Sequence, residues 1–447
     1  MREPSPADFA GWGRCPVVPG RLVQSEDLLA ITRGAALSRG LGRAYGDAAL
    51  PATPRDVIAQ TTLADRLLAF DSATGVLRAE AGASLLDLNR LLLPRGWFTP
   101  VTPGTQFVTL GGMVAADVHG KNHHQAGSFG EHLVALKVRV ADGRVVECSD
   151  AIERELFRAT IGGMGLTGHI LEVELRMMAV PSPWIWSESE RIPNLDAMID
   201  GLRQAAHEWP FTVGWIDCLT RGAGLGRGIL FKGRWAERAA ETVGGGAPPA
   251  FRRMLRIPFE LPEWVLARWS VRLFNTAYYW RHLARVRRGR VHPQPFFYPL
   301  DAIERWNLLY GRHGFTQYQC VVPHAEGHGP TRRLLDLVAS RGTASFLTVI
   351  KDFGAEGKGM LSFPRPGITL TFDIPVRSGT AALVAEFNRL VRAEGGRVYL
   401  AKDALTTAED FLAMEPRLAA WQRVRRQWDP GRTLRSAQSV RLMGDSA

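Results

Sequence analysis

Apolar positions along this chain recur with two periods, two and roughly 3.6, and the switches between them predict its elements. Period-two runs at LLAFD (67–71) and VLRAEAG (76–82) flank the turn SATG and predict a hairpin. LVALKVRV (133–140) and RVVECS (144–149) around ADG predict a second. Further strands are expected at 36–40, 169–178, 184–192, 211–219, 227–236, 315–323, 345–353, 368–376 and 397–403. Helical spacing predicts a short helix over 27–33 and a longer one over 84–96, with Ser84 as N-cap and Gly96 as its stop. Others follow at 153–163, 194–208, 406–414 and 416–430. Strands and helices in this order predict an α+β fold, its later part an antiparallel sheet covered on one face by helices. PSP (181–183) reads as a domain boundary and ETVGGGAPPA (241–250) as a flexible break.

One stretch fits neither period. PVTPGTQFVTLGGMVAADVHGKNHHQAGSFGEH (100–132) carries glycine at 104, 111, 112, 120, 127 and 130, with small or β-branched residues between them. Glycine lets a backbone turn with positive φ and approach a ligand closely, so the run suits a large flat cofactor with a phosphate tail. The bland alternative is a surface loop, but Val108, Leu110, Met113, Val114 and Val118 argue for burial. A second glycine loop, GLGRAYGD (40–47), follows a predicted strand, and its backbone N–H groups could converge on a phosphate, with Arg39 and Arg43 adding charge. GGMGLTG (162–168) holds a formal G-x-G-x-x-G. A Rossmann fingerprint must follow a strand and open a helix; here a helix precedes and a strand follows, so that site is rejected and a turn closing on the central ligand is expected.

Within HGKNHH (119–124), His119 and His123 stand four apart, but Gly120 and Asn122 disfavour the helix that would align them and no carboxylate follows at ligand spacing, so no metal is expected. Lys402, in an apolar-flanked strand, reads either as a pocket cation or base or as half of a surface pair with Asp403. Gln317 and Gln319 share a strand face, and with Tyr298 and Lys351 they could line a sugar-phosphate site or be solvated.

Charge changes the picture in one place. The 447 residues carry a net +11, and residues 251–290 hold ten arginines, two glutamates and no lysine among many aromatics. This segment suggests a membrane surface or nucleic acid; its bland alternative is a basic loop or a buried arginine-rich helix pair. The four cysteines are far apart, which argues against a zinc or disulfide framework. The N-terminus does not read as a signal peptide, and no apolar run is long enough to span a bilayer.

Taken together, GRAYGD (42–47), PGTQFVTLGGMVAADVHGKNHHQAGSFG (103–130), GGMGLTG (162–168), FYPLD (297–301), QYQ (317–319) and YLAKD (399–403) resemble the vanillyl-alcohol-oxidase-like FAD family, and within it the flavoenzymes of arabinan precursor synthesis. The likeness covers most of the chain and is weakest over 185–295. It implies a PCMH-type FAD-binding domain of two α+β subdomains over 1–180, a substrate domain over 181–395 and a last segment, 396–447, returning to the first. Carried over, Arg39, Gly40, Leu41, Gly42, Arg43, Ala44, Tyr45, Gly46 and Asp47 would cradle the FAD pyrophosphate. Pro103, Gly104, Thr105, Thr109, Leu110, Gly111, Gly112, Ala116, Asp117, Val118, His119, Gly120, Asn122, His123, Gly168, Ile170 and Tyr399 would line the cofactor. Trp215, Tyr298, Gln317, Gln319, Lys351, Thr369, Thr371 and Lys402 would shape the substrate pocket.

The activity this resemblance implies is oxidation of a polyprenyl-phosphoryl ribose at its 2′-hydroxyl. Lys402 and His119 are the candidate bases, a short-chain ketoreductase the partner, and a quinone or oxygen the final electron acceptor. Tyr45 stands where covalently flavinylated relatives often carry histidine, so FAD is expected to be non-covalent. Thr371 and Thr369 replace a cysteine and an asparagine of the actinobacterial enzymes. The location expected is peripheral at an inner membrane, on either side, with 251–290 at the lipid surface. A soluble sugar-alcohol or aldonolactone oxidase on the same fold is the nearer rival. A nucleic-acid binder is the distant one, and no recognised nucleic-acid motif supports it.

Overall fold

A computed structural model describes residues 4–237, 255–342 and 345–447. The break expected at 241–250 and the first four residues of the basic segment lie outside the described residues. Three sheets organise the rest.

The N-terminal sheet has four strands in the order Ser5–Ala10, Val17–Gln24, Val57–Gln60, Leu37–Arg39. Its first pair is antiparallel and the two others are parallel. The second sheet has five antiparallel strands, ordered Leu67–Asp71, Val76–Glu80, His169–Arg176, Leu133–Arg139, Val145–Ser149. Both hairpins expected from the alternation are present here, and the return strand from 169 pairs between them. The third sheet has eight antiparallel strands, ordered Val286–Val291, Ile185–Ile192, Gly228–Trp235, Phe211–Ile216, Thr348–Phe353, Gly367–Pro375, Phe315–Val322, Arg397–Val398.

The large sheet has two different faces. On one, Tyr318, Cys320, Val322, Ile350, Leu370, Phe372 and Ile374 pack under the helices Leu195–Glu208, Gly329–Arg341 and Thr380–Ala393, which bury Met198, Leu202, Leu334, Val338, Val384 and Phe387. Period two sends their neighbours to the other face. Cross-strand register therefore aligns Gln317 with Asp373, Gln319 with Thr371, Thr371 with Val349, Lys351 with Thr369, and Val349 with Trp215. This polar row turns toward the glycine-rich loops.

The chain after 396 differs from the expected strand. Only Arg397–Val398 pairs, through Cys320 and Val321, and the backbone then turns, with Tyr399 CO accepting from the N–H groups of Lys402 (2.9 Å) and Asp403 (3.1 Å). Lys402 thus stands on a turn, where its reach is not set by strand alternation. The final helices pack on the N-terminal part. Trp421 of Leu418–Trp428 is fully buried and donates from Nε1 to Ala159 CO at 2.9 Å. Arg441 forms ion pairs with Asp47 (2.7 Å) and Asp403 (2.8 Å). Removing a buried tryptophan of this kind leaves a cavity and an unpaired carbonyl. Trp421→Ala should lower unfolding stability by about 3–5 kcal/mol; a urea midpoint unchanged from the parent would show that the C-terminal helices are not part of the core.

Candidate active site

The site begins with backbone. Helix Leu110–Ala115 starts at Thr109, whose hydroxyl accepts from Gly112 N–H at 3.3 Å. A Cβ on Gly40 would lie 2.2 Å from the Thr109 hydroxyl oxygen, so the loop after strand Leu37–Arg39 rests directly on the turn that opens this helix. A Cβ on Gly46 would lie 1.9 Å from Asp403 CO, which brings the same loop against the Lys402 turn. The turn at 162–165 closes the far side: Gly162 N–H donates to Val114 CO (3.0 Å) and Met164 N–H to Ala115 CO (2.9 Å). A helix precedes that turn and strand His169–Arg176 follows it, the order that excludes a Rossmann fingerprint. Gly168 and Ile170 flank His169, which bonds Ser38 at 2.8 Å and joins the first two sheets.

Several of the expected cofactor residues hold this backbone in place. Arg39 is turned inward, donating to Ala49 CO (2.8 Å) and Ala10 CO (2.7 Å). Asp47 pairs with Arg441. Ala44 CO accepts from Trp12 N–H, and the Arg43 guanidinium lies 3.9 Å from the Trp12 ring centroid. Thr105 donates to Asp301 at 2.7 Å, and the Val118 carbonyl accepts from Phe129 N–H. Asp117, fully buried with φ +39°, accepts from Ser128 (2.7 Å) and Gly130 N–H (2.8 Å); the Ser362 hydroxyl donates to it as well. Asn122 donates to Pro100 CO at 2.7 Å. Leu41, Gly104 and Gly112 remain exposed, Pro103, Gly111 and Ala116 half-buried, and a Cβ on Gly104 would meet no atom within 4 Å. What is left open is a track of glycine, proline, alanine and main chain, bounded at one end by the buried His123 Nε2, which has no hydrogen-bond partner among the described residues. A long cofactor with a pyrophosphate and a flat ring fits this lining, and FAD is such a cofactor.

Side chains from both halves converge at that end. His119 is buried between Phe353 (4.8 Å between centroids) and Tyr399 (5.4 Å). Its Nε2 lies 3.0 Å from Gln319 Nε2 and its Nδ1 3.2 Å from Lys351 Nζ. Burial, reinforced by Lys351, His123 and Lys402, holds the His119 pKa well below the usual imidazole value. Burial brings Lys351 down to about 7, with Lys121 and Lys402 adding repulsion. Lys402 is likewise brought to about 7 by burial, opposed by the charge of Asp373, and its Nζ sits 3.8 Å from the Tyr45 ring centroid. Tyr399 donates from its hydroxyl to Ala116 CO at 2.9 Å. Gln319 donates to Thr369 at 3.2 Å, and Thr371 lies opposite Gln319 in the sheet.

Two expected pocket residues are engaged elsewhere. Tyr298 bonds through its hydroxyl to Thr102 (2.5 Å) and Asn89 (3.0 Å), a seam between the sheet region and the N-terminal part. Trp215 shares the polar face but donates from Nε1 to Phe346 CO at 3.0 Å, with its ring 4.6 Å from that of Tyr278. Two further groups were not singled out from the sequence. Lys121 reaches inward to Phe297 CO at 2.9 Å, and burial brings it to about 8. Its place within HGKNHH was the available signal. Asp373 is fully buried beside Gln317 and Tyr310. The strand pattern places it on the Gln317 face but does not reveal its partners.

Residues 27–149 match the family described as FAD binding domain. Decaprenylphosphoryl-beta-D-ribose oxidase of Mycolicibacterium smegmatis is 34% identical over 97% of this chain and 96% of its own length. An uncharacterized protein in the mprA 5′ region of Streptomyces coelicolor is 35% identical over 80% of this chain and 99% of its own. L-gulonolactone oxidase of Scyliorhinus torazame is 32% identical, over 25% of each chain.

The buried imidazoles set a pH dependence. His119 is held below the ordinary value, His123 is lowered to about 3 and His169 to about 4, burial being the first cause in each. As pH falls below about 6.5 the unfolded chain takes up protons that these folded side chains refuse, so stability falls with pH, by roughly 1.4 kcal/mol per unit for each group. The urea midpoint should therefore drop between pH 7 and pH 5; a flat midpoint would mean that these imidazoles titrate normally.

Proposed function

The chain belongs to the FAD-dependent decaprenylphosphoryl-β-D-ribose oxidase family, and from that premise we propose that this FAD oxidoreductase oxidises the 2′-hydroxyl of a polyprenyl-phosphoryl-β-D-ribose to the ketone. One observation carries the substrate class: Lys121, Lys351 and Lys402, each half-buried, gather around one site where desolvation lowers all three. Buried ammonium groups are costly without a counter-charge. The phosphate of a phosphoryl sugar supplies that charge, and a free sugar does not. A short-chain ketoreductase would then reduce the ketone to arabinose. We further propose a division of the chain at 180 and 395, non-covalent attachment of FAD, and a quinone or oxygen as final acceptor.

Bound FAD supplies the acceptor for the hydride that leaves carbon 2′. The hydroxyl proton needs a base within reach. Both His119 ring nitrogens face partners, Gln319 and Lys351. Lys402 Nζ forms no hydrogen bond among the described residues, and at about 7 its amine is partly neutral at neutral pH. We therefore assign the base to Lys402. His119 and Lys351 would hold the sugar, Gln317 and Gln319 its hydroxyls, and Lys121 the phosphate. Thr369 and Thr371 would bound the ring and Trp215 the outer edge.

Purified protein with FAD should bleach under anaerobic conditions on adding a polyprenyl-phosphoryl ribose, and Lys402→Ala should bleach at least 100-fold more slowly. Bleaching with free sugars alone would favour the soluble sugar oxidase. The colour should stay in solution when the protein is precipitated with acid; yellow pellets would contradict non-covalent FAD.

The same substrate calls for a lipid surface, which we place at the described part of 251–290. Helix Arg268–Trp280 turns Asn275 and Tyr279 inward, and Asn275 donates to Asp217 at 3.0 Å. Outward it exposes Trp269 (63%), Leu273 (66%) and Trp280 (51%), followed by Leu283 (84%). Exposed Arg268, Arg272, Arg281, Arg285 and Arg287 surround them. Aromatic and basic groups in this arrangement suit the headgroups of an anionic leaflet. Among the described residues no helix is long and apolar enough to cross a membrane. The protein should co-sediment with vesicles containing anionic lipid, and Trp269→Ser/Leu273→Ser/Trp280→Ser should bind them at least tenfold more weakly; equal binding would remove this face from the proposal.

A further inference from the structure

Among the described residues Asp373 is the one buried carboxylate acting on Lys402, and the reaction outlined above gives it no role. It lies in strand Gly367–Pro375 directly opposite Gln317. Tyr310 donates from its hydroxyl to Asp373 Oδ2 at 2.9 Å, and Gln317 donates from Nε2 to Oδ1. Asp373 N–H in turn donates to Ser345 Oγ at 3.3 Å. Beyond Gln317 the line continues to Tyr45, whose hydroxyl lies close enough to feel the Gln317 side chain. Lys402 then rests on the Tyr45 ring. The line Tyr310–Asp373–Gln317–Tyr45–Lys402 therefore crosses from the core of the sheet to the reacting end of the site. Tyr310 is fixed by stacking on Phe315, 4.0 Å between centroids, so the line starts from a rigid group.

We propose that Asp373 is a positioning residue, which holds the Lys402 amine through Gln317 and Tyr45 and supplies the negative charge against which that amine is set. The proposal rests on Lys402 being a site residue. Its consequence is a balance. An isolated buried amine would release its proton readily but would be a poor base. A carboxylate behind the aromatic ring restores basicity without forming a direct ion pair, which would immobilise the amine. Asp373 is suited to this, since burial raises it to about 6 while Gln317, Tyr310 and Lys402 keep it from rising further. At neutral pH it is mostly ionised.

The other charged or titratable groups facing this line are few. Tyr45 feels Arg43 and Asp301 in addition to Asp373, and Tyr310 feels Cys218. Lys402 also acts on His119 and Lys351. None of these is a second carboxylate on Lys402, so Asp373→Asn removes one charge while keeping the shape and an acceptor for Gln317.

The test reads Lys402 itself. Holoprotein is exposed to cyanate from pH 5.5 to 9, and carbamylation of Lys402 and Lys351 is followed by mass spectrometry. In Asp373→Asn the half-point for Lys402 should move to lower pH by half a unit or more, a threefold change or greater in the protonation equilibrium, with Lys351 moving less. The acid limb of kcat against pH should move the same way, and the plateau should fall. Tyr310→Phe, which keeps the stacked ring but removes one bond to Asp373, should move Lys402 in the same direction by a smaller step. This second variant keeps the proposal testable if Asp373→Asn does not fold. An unchanged Lys402 half-point in either folded variant, or equal shifts at Lys402 and Lys351, would overturn the proposal. Labelling does not depend on turnover, so failure here is distinguishable from failure of the assigned reaction, which Lys402→Ala tests separately.

Discussion

Everything at the reacting end depends on holding several ammonium groups close together and partly desolvated, with little to neutralise them. Lys121, Lys351 and Lys402 are half-buried and partly desolvated, two imidazoles stand among them, and Lys121 and Lys402 both act against the charged form of Lys351. Such a cluster is unstable by itself. It persists because rigid elements on both sides hold it: Lys351 on a central strand, His119 and Lys121 on a glycine-bound loop, and Lys402 on a tight turn. The unmet demand for negative charge is then available to a ligand. Binding a phosphate relieves electrostatic strain already present in the folded protein, and the same desolvation that makes the lysines costly makes them reactive near neutral pH.

The fold supplies this rigidity by dividing labour between the faces of one sheet. Its apolar face is sealed by three helices, so the strands cannot slip without exposing Phe372, Leu370 and Val322. Register thereby becomes a chemical constraint. With Gln319 opposite Thr371 and Gln317 opposite Asp373, a one-residue slip would send every polar group of the site into the helical core. The glycine loops meet the other face by backbone approach, and Gly40 and Gly46 mark the points where no side chain could intervene. The C-terminal helices complete the clamp. Arg441 ties Asp47 of the first glycine loop to Asp403, next to Lys402, so cofactor loop and candidate base are fixed by one guanidinium.

Local signals in the sequence were sufficient for both hairpins, the covered antiparallel sheet and the glycine track, because each depends on periodicity or on a residue's own backbone freedom. Gln317 and Gln319 were legible as a pair for the same reason: alternate residues on a strand must share a face. Lys402 was placed on a strand that ends at Val398, since apolar flanks such as Tyr399 and Leu400 look alike in a strand and in a buried turn. Asp373 and Lys121 gave little sign of their surroundings. Their partners, Gln317 and Tyr310 in one case and Phe297 in the other, lie 56, 63 and 176 positions away. Tyr298 shows the converse, since a strong motif placed it in the pocket while its hydroxyl is spent on Thr102 and Asn89.

Helix Arg268–Trp280 joins two parts of the proposed chemistry that would otherwise be separate. Its inner face carries Tyr278 onto Trp215, at the edge of the polar row, and Asn275 onto Asp217, which Arg227 also binds at 2.8 Å. Its outer face is apolar and ringed by arginine. The two surfaces are separated by one helix diameter, about 10–12 Å. A lipid-linked sugar reaching the site past this helix would need no passage through water: its prenyl chain could stay against the outward tryptophans while the sugar phosphate moved toward the lysines. The cost of solvating a long hydrocarbon tail, about 0.8 kcal/mol for each methylene, makes any route through bulk water prohibitive for such a substrate. If the substrate is lipid-linked, as proposed, the position of this helix between an exposed apolar face and the half-buried cationic site is the feature on which its access would depend.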